Sequence, residues 1–219
     1  HLAGDPRLSV LFAPGNSNAA GEIIGMPNGR TSDDYTGADG QTYAGIADRH
    51  IYAQTHPALR KKDVPMVLLT TAEVHFLIGE AIIRGWVSGD AKTYYDAGVT
   101  AAMTMLADFY PDSTPIAQAD IDAFLAGPGA YDSSKGWEML MNEYWKATFL
   151  NEYEAYANWR RTGYPTLSPT QHPNSVSGNQ IMRRMIYPGG ESATNAENYA
   201  AAVARQGADT WMTRMWWDK

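Results

Sequence analysis

The chain has 219 residues, of which 44% are hydrophobic and 19% are charged, a composition typical of a folded domain. The formal net charge of −7, without any large Lys/Arg cluster, argues against binding to nucleic acid or to an anionic membrane surface. The absence of cysteine excludes disulfides, cysteine metal sites and cysteine nucleophiles.

Residues 1–63 are predicted to be a long, loop-rich segment. Turn-forming residues recur in the stretches APGNSNAAGE, GMPNGRTSDD and TGADGQ. Long structured loops of this kind are usually functional. Because the sequence starts at His1 without a methionine, we expect a fragment or a processed chain, for which a missing targeting signal is uninformative.

Residues 64–110 are predicted to form a pair of helices joined by a short loop. Helical spacing predicts that the first helix buries Val67, Leu68, Thr71, Val74, His75, Ile78 and Ile82. Gly85 ends this helix, Asp90 can cap the second one, and Pro111 follows the end of the second. Small residues such as Gly79 and Gly98 fit part of a tetratricopeptide pattern.

Residues 111–219 are predicted to contain helices and loops. We expect a short helix over Thr114–Leu125, a long one over Lys135–Arg161 and a last one over Asn195–Gln206. No alternating stretch of useful length predicts a strand. The sequence therefore predicts one all-α domain over residues 1–219, built on tetratricopeptide-like helix pairs with long irregular loops.

Known catalytic and metal-binding motifs are absent from the sequence. There is no nucleophile elbow, phosphate-binding glycine loop or pair of histidines at helical spacing. Asp33, Asp34 and Asp39 could supply oxygen ligands to calcium, but they lack the spacing of a calcium loop, and a solvated loop is the preferred interpretation. A catalytic triad or a pair of glycosidase carboxylates, which assemble across a fold, stay open. We predict no enzyme activity, no metal and no cofactor.

Several blocks occur in the order found in the SusD/RagB family, which the chain resembles over nearly its whole length. They are DPRLSVLF at residues 5–12, GMPNG at 25–29, LLTTAEVHFLIGEAIIRGW at 68–86 followed by GDAKTYYDAGVTAAM, EYWKATFLNEYEAYANWRRTGYP at 143–165, MRRMIYPGGESATNAENYAAA at 182–202, and the terminal WWDK. The match corresponds to the carboxy-terminal portion of the family.

The resemblance implies an all-α superhelix of tetratricopeptide-like helix pairs whose loops bind ligand. It also implies an outer-membrane, cell-surface lipoprotein that binds nutrients without catalysis and passes them to a SusC-like TonB-dependent transporter. The ligand would be a glycan or oligosaccharide, or a peptide. The lipid-anchor cysteine is expected in an amino-terminal part of the protein that this sequence does not include.

The composition suggests where such a ligand binds. The chain contains 7 Trp and 13 Tyr but only 5 Phe, and an aromatic face with a polar edge suits sugar rings. Because ligand contacts concentrate in irregular segments, the candidate binding residues are Asn28, Arg30, Asp34, Tyr35, Asp39, Tyr43 and Tyr52. The alternatives are an exposed loop without a ligand role and, for the whole chain, a helical scaffold that binds peptides or proteins.

Overall fold

The computed structural model describes residues 2–218, which are mainly helical. Within these residues lie eight α-helices: α1 (Leu8–Leu11), α2 (Thr71–Ile83), α3 (Ala91–Phe109), α4 (Gln118–Ala126), α5 (Gly136–Ala147), α6 (Glu152–Thr162), α7 (Glu191–Thr194) and α8 (Ala196–Gln206). Short 3-10 turns cover Arg49–Ile51, Pro57–Arg60 and Ser133–Lys135. The two-residue strands are β1 (Phe12–Ala13), β2 (Tyr35–Thr36), β3 (Thr42–Tyr43) and β4 (Gln54–Thr55), paired β1 with β4 and β2 with β3. The predicted all-α class is confirmed.

The chain folds into two compact units, each discontinuous in sequence. The first contains His1–Met26 and Asp48–Asn158, and the second contains Pro27–Ala47 and Trp159–Lys219. The first unit carries 17 acidic and 9 basic residues, a net −8, whereas the second carries 7 acidic and 8 basic residues, a net +1. The assignment of residues 1–219 to a single domain stays a prediction.

Helices α2 and α3 form the predicted pair, and α5 packs against both of them. The side chain of Thr70 accepts a hydrogen bond from the Glu73 N–H, and the Glu73 carboxylate accepts one from the Thr70 N–H, which caps the start of α2. Asp90 caps α3 as predicted, since its carboxylate accepts from two backbone N–H groups of the first turn. Helix α3 ends at Phe109, before Pro111, also as predicted.

Small residues allow these helices to approach closely. A Cβ atom at Gly98 would lie 2.5 Å from the ring of Phe76, and one at Gly79 would lie 2.4 Å from Cδ1 of Leu140. Phe76 and Leu140 are themselves fully buried. The glycines at these positions therefore specify the tetratricopeptide-like packing that their spacing predicted.

The predicted buried face of α2 is wrong. Val74 is 42% exposed, while Phe76, Glu73 and Glu80 are buried. The helix has apolar residues on more than one side, and its glutamates lie on the buried side because Glu73 caps the helix and Glu80 pairs with Arg84 at 2.7 Å. The larger apolar side chains that are exposed on and beside α2 are Met66, Leu68, Leu69, Leu77, Trp86 and Val87.

The predicted long helix over Lys135–Arg161 is also wrong, because it is broken into α5 and α6. Leu150 has a φ of +71°, in the left-handed region that ends helices. Helix α6 begins after Asn151, whose carbonyl accepts from the Ala155 N–H at 3.0 Å. No glycine or proline marks the break, so periodicity alone missed it. The predicted helix over Thr114–Leu125 begins later than expected, with α4 at Gln118.

A buried ion cluster joins the segment before α1 to α5 within the first unit. Nη2 of Arg7 lies 2.6 Å from Asp5 and 2.6 Å from Glu143, and Nζ of Lys146 lies 2.7 Å from Glu143. Burial opposes ionisation of Asp5, but the Arg7 guanidinium outweighs it and lowers the pKa of that carboxyl. The Asp5-Pro6-Arg7 motif is therefore a structural one.

Candidate ligand-binding site

The hairpin of β2 and β3 brings two of the predicted tyrosines together. Tyr35 pairs with Tyr43 across the antiparallel ladder, so their side chains leave the same face. Their ring centroids are 5.3 Å apart, with 25° between the ring planes. Gly40, with a φ of +77°, allows the turn between the strands, and the Gly37 N–H donates to the Gln41 carbonyl at 2.8 Å.

Asp39 orders both the turn and one of the tyrosines. Its carboxylate accepts a 2.6 Å hydrogen bond from the Tyr43 hydroxyl and a 3.1 Å bond from the Gln41 N–H. The bond from Tyr43 holds the pKa of Asp39 below its usual value, and the same bond raises the pKa of Tyr43. At neutral pH the pair is consequently a carboxylate and a neutral phenol.

Two further planar groups join the tyrosine pair. The guanidinium carbon of Arg30 lies 4.3 Å from the ring centroid of Tyr43, in a cation–π contact. The imidazole of His172 lies 4.9 Å from the ring of Tyr35, and the Tyr35 hydroxyl donates to the Gly29 carbonyl at 3.2 Å. Arg30, Tyr43, Tyr35 and His172 thus form successive contacting pairs, which we call the hairpin cluster together with Asp39.

A second irregular segment of the same unit positions this hairpin. The Ala38 N–H donates to the Gln171 carbonyl at 3.0 Å. At Gly29, which has a φ of +73°, an added Cβ would lie 2.5 Å from Cγ2 of Thr170. Glycine is required there both by the backbone conformation and by the close approach.

The hairpin cluster contains four of the seven predicted binding residues: Arg30, Tyr35, Asp39 and Tyr43. Asp34 lies beside them, but its Oδ1 accepts from the Gly45 N–H at 2.7 Å and so supports the loop backbone.

The remaining two residues lie outside these contacts. Asn28 is exposed next to Gly29, and Tyr52 belongs to the other unit. A ligand role for all seven residues stays a prediction.

Sequence reasoning missed His172 as a member of this cluster. It lies in the irregular stretch after α6, far along the chain from Tyr35, and no motif surrounds it. Only the contact between the two segments identifies it. Arg160, in the last turn of α6, contacts two later segments: its Nη1 donates to the Arg183 carbonyl at 3.0 Å, and its guanidinium lies 4.5 Å from the ring of Trp217.

The hairpin cluster combines aromatic surface with a polar rim. Tyr35, Tyr43, Arg30 and His172 are half-buried, and Asp39 is exposed. The Tyr43 hydroxyl donates to Asp39 and the Tyr35 hydroxyl to the Gly29 carbonyl, and both hydroxyls keep acceptor lone pairs. The guanidinium is a donor and the carboxylate an acceptor. Such a set suits a ligand with apolar faces and many hydroxyls. Among residues 2–218, no group of three or more His, Asp or Glu residues could hold a metal ion.

No helix within residues 2–218 has the length and apolar character needed to cross a membrane.

A SusD-like family model, described as "Starch-binding associating with outer membrane", matches residues 2–188. The solved structure of a chitin-binding protein is 31% identical, with a TM-score of 0.78 over 100% of this chain and 48% of its own. A SusD homologue from Bacteroides fragilis is 28% identical, with a TM-score of 0.73 over 99% of this chain and 49% of its own. A Bacteroidetes SusD-like protein is 31% identical, with a TM-score of 0.73 over 80% of this chain and 35% of its own.

This chain therefore spans about half, or less, of the length of these solved structures. A search of curated proteins found no match. The structural likeness covers the same helices and loops that the sequence blocks indicated, which confirms the predicted resemblance. Because the family model matches residues 2–188, the chain belongs to the SusD-like family.

Proposed function

We propose that this chain is part of a non-catalytic surface protein that binds a polysaccharide or oligosaccharide, and that the hairpin cluster forms part of its binding surface. One observation carries the proposal: Tyr35 and Tyr43 are stacked, and Arg30 and Asp39 hold the Tyr43 ring. A prearranged aromatic pair of this kind binds without a large loss of side-chain entropy.

The polar rim supplies the remaining contacts. A sugar lying along the tyrosine rings packs its C–H groups against aromatic carbon, and its hydroxyls reach the rim. Asp39 accepts hydrogen bonds from sugar hydroxyls, while Arg30 donates to hydroxyl and ring oxygens. These hydrogen bonds involve charged groups and are therefore stronger than neutral ones.

The comparisons support the choice of ligand class. The family description names starch, and one similar structure is a chitin-binding protein. Both polymers present sugar rings with apolar faces and hydroxyl rims. Starch and chitin fragments are thus the first ligands to test.

The family also supports a location and a partner. We propose that the complete protein is held at the cell surface of the outer membrane by a lipid anchor and passes its glycan to a SusC-like TonB-dependent transporter. The family description of association with the outer membrane supports this arrangement. Binding is proposed to need no cofactor.

Affinity electrophoresis tests the role of the hairpin cluster. The chain is run in native gels that contain soluble starch or glycol chitin, beside the double variant Tyr35→Ala/Tyr43→Ala. We expect at least one polysaccharide to retard the chain and the double variant to lose that retardation. Tyr153→Ala is the matched control, because Tyr153 is 89% exposed on α6 and outside the cluster.

Equal retardation of the chain and the double variant would contradict the assignment of the site. Release of reducing sugars from either polysaccharide by the purified chain would contradict the non-catalytic role. Circular dichroism of each variant separates a lost site from a lost fold.

One observation favours a second candidate function, a helical scaffold that binds peptides or proteins. Leu68 and Leu77 are among the large apolar side chains exposed on and beside α2. Exposed apolar patches commonly mark protein contacts. Binding of a hydrophobic peptide library that is lost in Leu68→Asp/Leu77→Asp, and retained in Tyr35→Ala/Tyr43→Ala, would favour this function over glycan binding.

A further inference from the structure

A cavity of about 290 Å³ lies in the second unit, between α8 and the carboxy-terminal tail. Its lining includes Tyr187, Arg205, Gln206, Arg214 and Trp216. Small-molecule sites typically occupy about 300–1,000 Å³, so this cavity is about the size of the smallest of them. None of the residues predicted to bind ligand from the sequence lines it.

Trp216 gives this cavity an open aromatic surface. Its side chain is 90% exposed, although tryptophan is normally among the more buried residue types. In the tail, the neighbouring Trp217 contacts Arg160 and Asp218 is buried, so the tail itself is held in place. An exposed indole on an ordered segment provides a flat apolar face for a ligand.

Two arginines, Arg205 and Arg214, line the cavity, and none of the described residues that line it carries a carboxylate. Arg205, in the last turn of α8, is exposed, and no ion pair or hydrogen bond to its side chain occurs within residues 2–218. Arg214 lies 3.3 Å from Oδ1 of Asp218, but Arg183 lies 3.0 Å from the same oxygen. One carboxylate is thus shared by two guanidinium groups, while the guanidinium of Arg205 has no carboxylate partner within residues 2–218.

We propose that this cavity is a subsite for an acidic sugar, with the sugar ring on Trp216 and its carboxylate or sulfate bound by Arg205 and Arg214. The inference rests on the proposed glycan-binding function and extends it to a second place on the chain. Guanidinium groups bind two oxygens of a carboxylate or of a tetrahedral oxyanion through paired hydrogen bonds, and a neutral sugar has no such charged pair of acceptors. The subsite therefore selects sugars by charge, whereas the hairpin cluster selects by stacking and hydroxyl contacts.

Calorimetric titration tests the subsite with two probes that share one sugar backbone, of which one is charged and the other neutral. The chain is titrated with trigalacturonic acid and with its fully methyl-esterified form. We expect the acid to bind on the order of tenfold more tightly, because hydrogen bonds to charged groups are the stronger ones. A sulfated trisaccharide in a third titration shows whether sulfate can replace carboxylate, and preferential binding of either acid supports the proposal.

Two single variants assign that binding to the cavity. Arg205→Gln removes no ion pair or hydrogen bond within residues 2–218. It should weaken binding of the acid by roughly tenfold and leave binding of the ester unchanged. Trp216→Ala should weaken the binding of both probes. Arg60→Gln and Tyr153→Ala are controls, because they alter an exposed arginine and an exposed tyrosine of the first unit. They should not change the affinity for either probe.

Equal binding of acid and ester, or an unchanged affinity in Arg205→Gln, would overturn the proposal. Tight binding of hexa-aspartate would also overturn the proposal, if its affinity equals that of trigalacturonic acid and does not change in Trp216→Ala. Such a result would indicate an acidic peptide site. The Tyr35→Ala/Tyr43→Ala variant separates the two proposals. If this variant still binds trigalacturonate, and the original chain binds no neutral glycan, the hairpin proposal fails and the subsite proposal stands.

Discussion

Tyrosine has opposite roles in two regions of the molecule. One region is the helical body of α2, α3 and α5, and the other is the β2–β3 hairpin. Tyr95, on α3, is 1% exposed and donates a 3.0 Å hydrogen bond to the Gly129 carbonyl. Burial raises its pKa strongly, so it stays neutral. Tyr43, on β3, is half-buried, and its hydroxyl donates to the exposed Asp39. Tyrosine in the body stabilises packing, whereas tyrosine in the hairpin keeps polar edges available.

The contrast extends to charge and glycine. In the body, Glu143 of α5 is buried against Arg7 from the segment before α1, which also pairs with Asp5, and Gly98 leaves space for the ring of Phe76. In the hairpin, Arg30 lies on an aromatic ring at a half-buried position, and Gly40 forms a turn. Substitutions in the body should therefore change stability, and those in the hairpin should change binding.

The largest effect on the free energy of unfolding is expected for Arg7→Met. It removes the cation that lies 2.6 Å from both buried carboxylates and leaves only Lys146 beside Asp5 and Glu143. Losing one partner of a buried ion pair typically costs about 3–5 kcal/mol. The free energy of unfolding from urea denaturation should fall by that amount. Lys61→Met is the control, because Lys61 pairs with Asp112 where both side chains are half-exposed, and it should change stability little. Similar losses for the two variants would contradict the role of the buried cluster.

The next effect is expected for Gly98→Ala. Alanine improves helix propensity by about 1 kcal/mol, but its Cβ would lie 2.5 Å from the Phe76 ring. Overpacking of this kind costs about 1–3 kcal/mol, so we expect a net loss of stability in urea denaturation. Thr104→Ala, at an exposed position of the same helix, should shift stability by less than about 0.5 kcal/mol. A more stable Gly98→Ala would show that α2 and α3 pack less closely than described.

A smaller, pH-dependent effect is expected for Glu73→Gln. Burial raises the pKa of Glu73 above its ordinary 4.5, despite the hydrogen bonds from Thr70. The folded chain therefore holds this proton more tightly than the unfolded chain, and the stability that protonation contributes is lost as pH rises through the folded-state pKa. Glutamine cannot ionise but still offers an acceptor to Thr70.

The stability of Glu73→Gln relative to the original chain should thus increase between about pH 4 and pH 7. Urea denaturation at several pH values measures the difference. A relative stability that falls over this range would contradict a raised pKa.

The smallest effect on stability is expected for Tyr43→Phe, in the hairpin. The variant keeps the stacked ring and loses only the bond to exposed Asp39, so the midpoint of thermal unfolding should hardly move. Affinity for a retained glycan should nevertheless fall severalfold, since a rim contact is lost and Asp39 is less ordered. A large loss of stability without a change in affinity would assign the hairpin to the fold instead.

The parts of the fold that could be predicted from sequence are those with a local cause. Asp90 caps α3 with its own side chain, and Gly79 and Gly98 have a spacing that reflects close helix packing. The break at Leu150 has no local signal, because neither glycine nor proline is present there. The buried face of α2 was misjudged because the buried Glu80 forms an ion pair with Arg84, and hydrophobic periodicity does not describe such a pair.

The candidate site was predictable to the same extent. The composition of the loop indicated Tyr35, Tyr43, Arg30 and Asp39, and the structure brings them into contact. His172 joins them only through tertiary structure, so no local pattern could identify it. The residue types of one loop could be predicted to form a site, but the contact of that loop with a distant one could not.

Hydrogen–deuterium exchange with and without the retained glycan tests most directly whether the hairpin, and not the helical body, binds ligand. We predict slower exchange on glycan addition in peptides covering residues 29–45 and 170–172, with no change in α2 and α3. Protection confined to α2 and α3, with exchange in residues 29–45 unaltered, would contradict it.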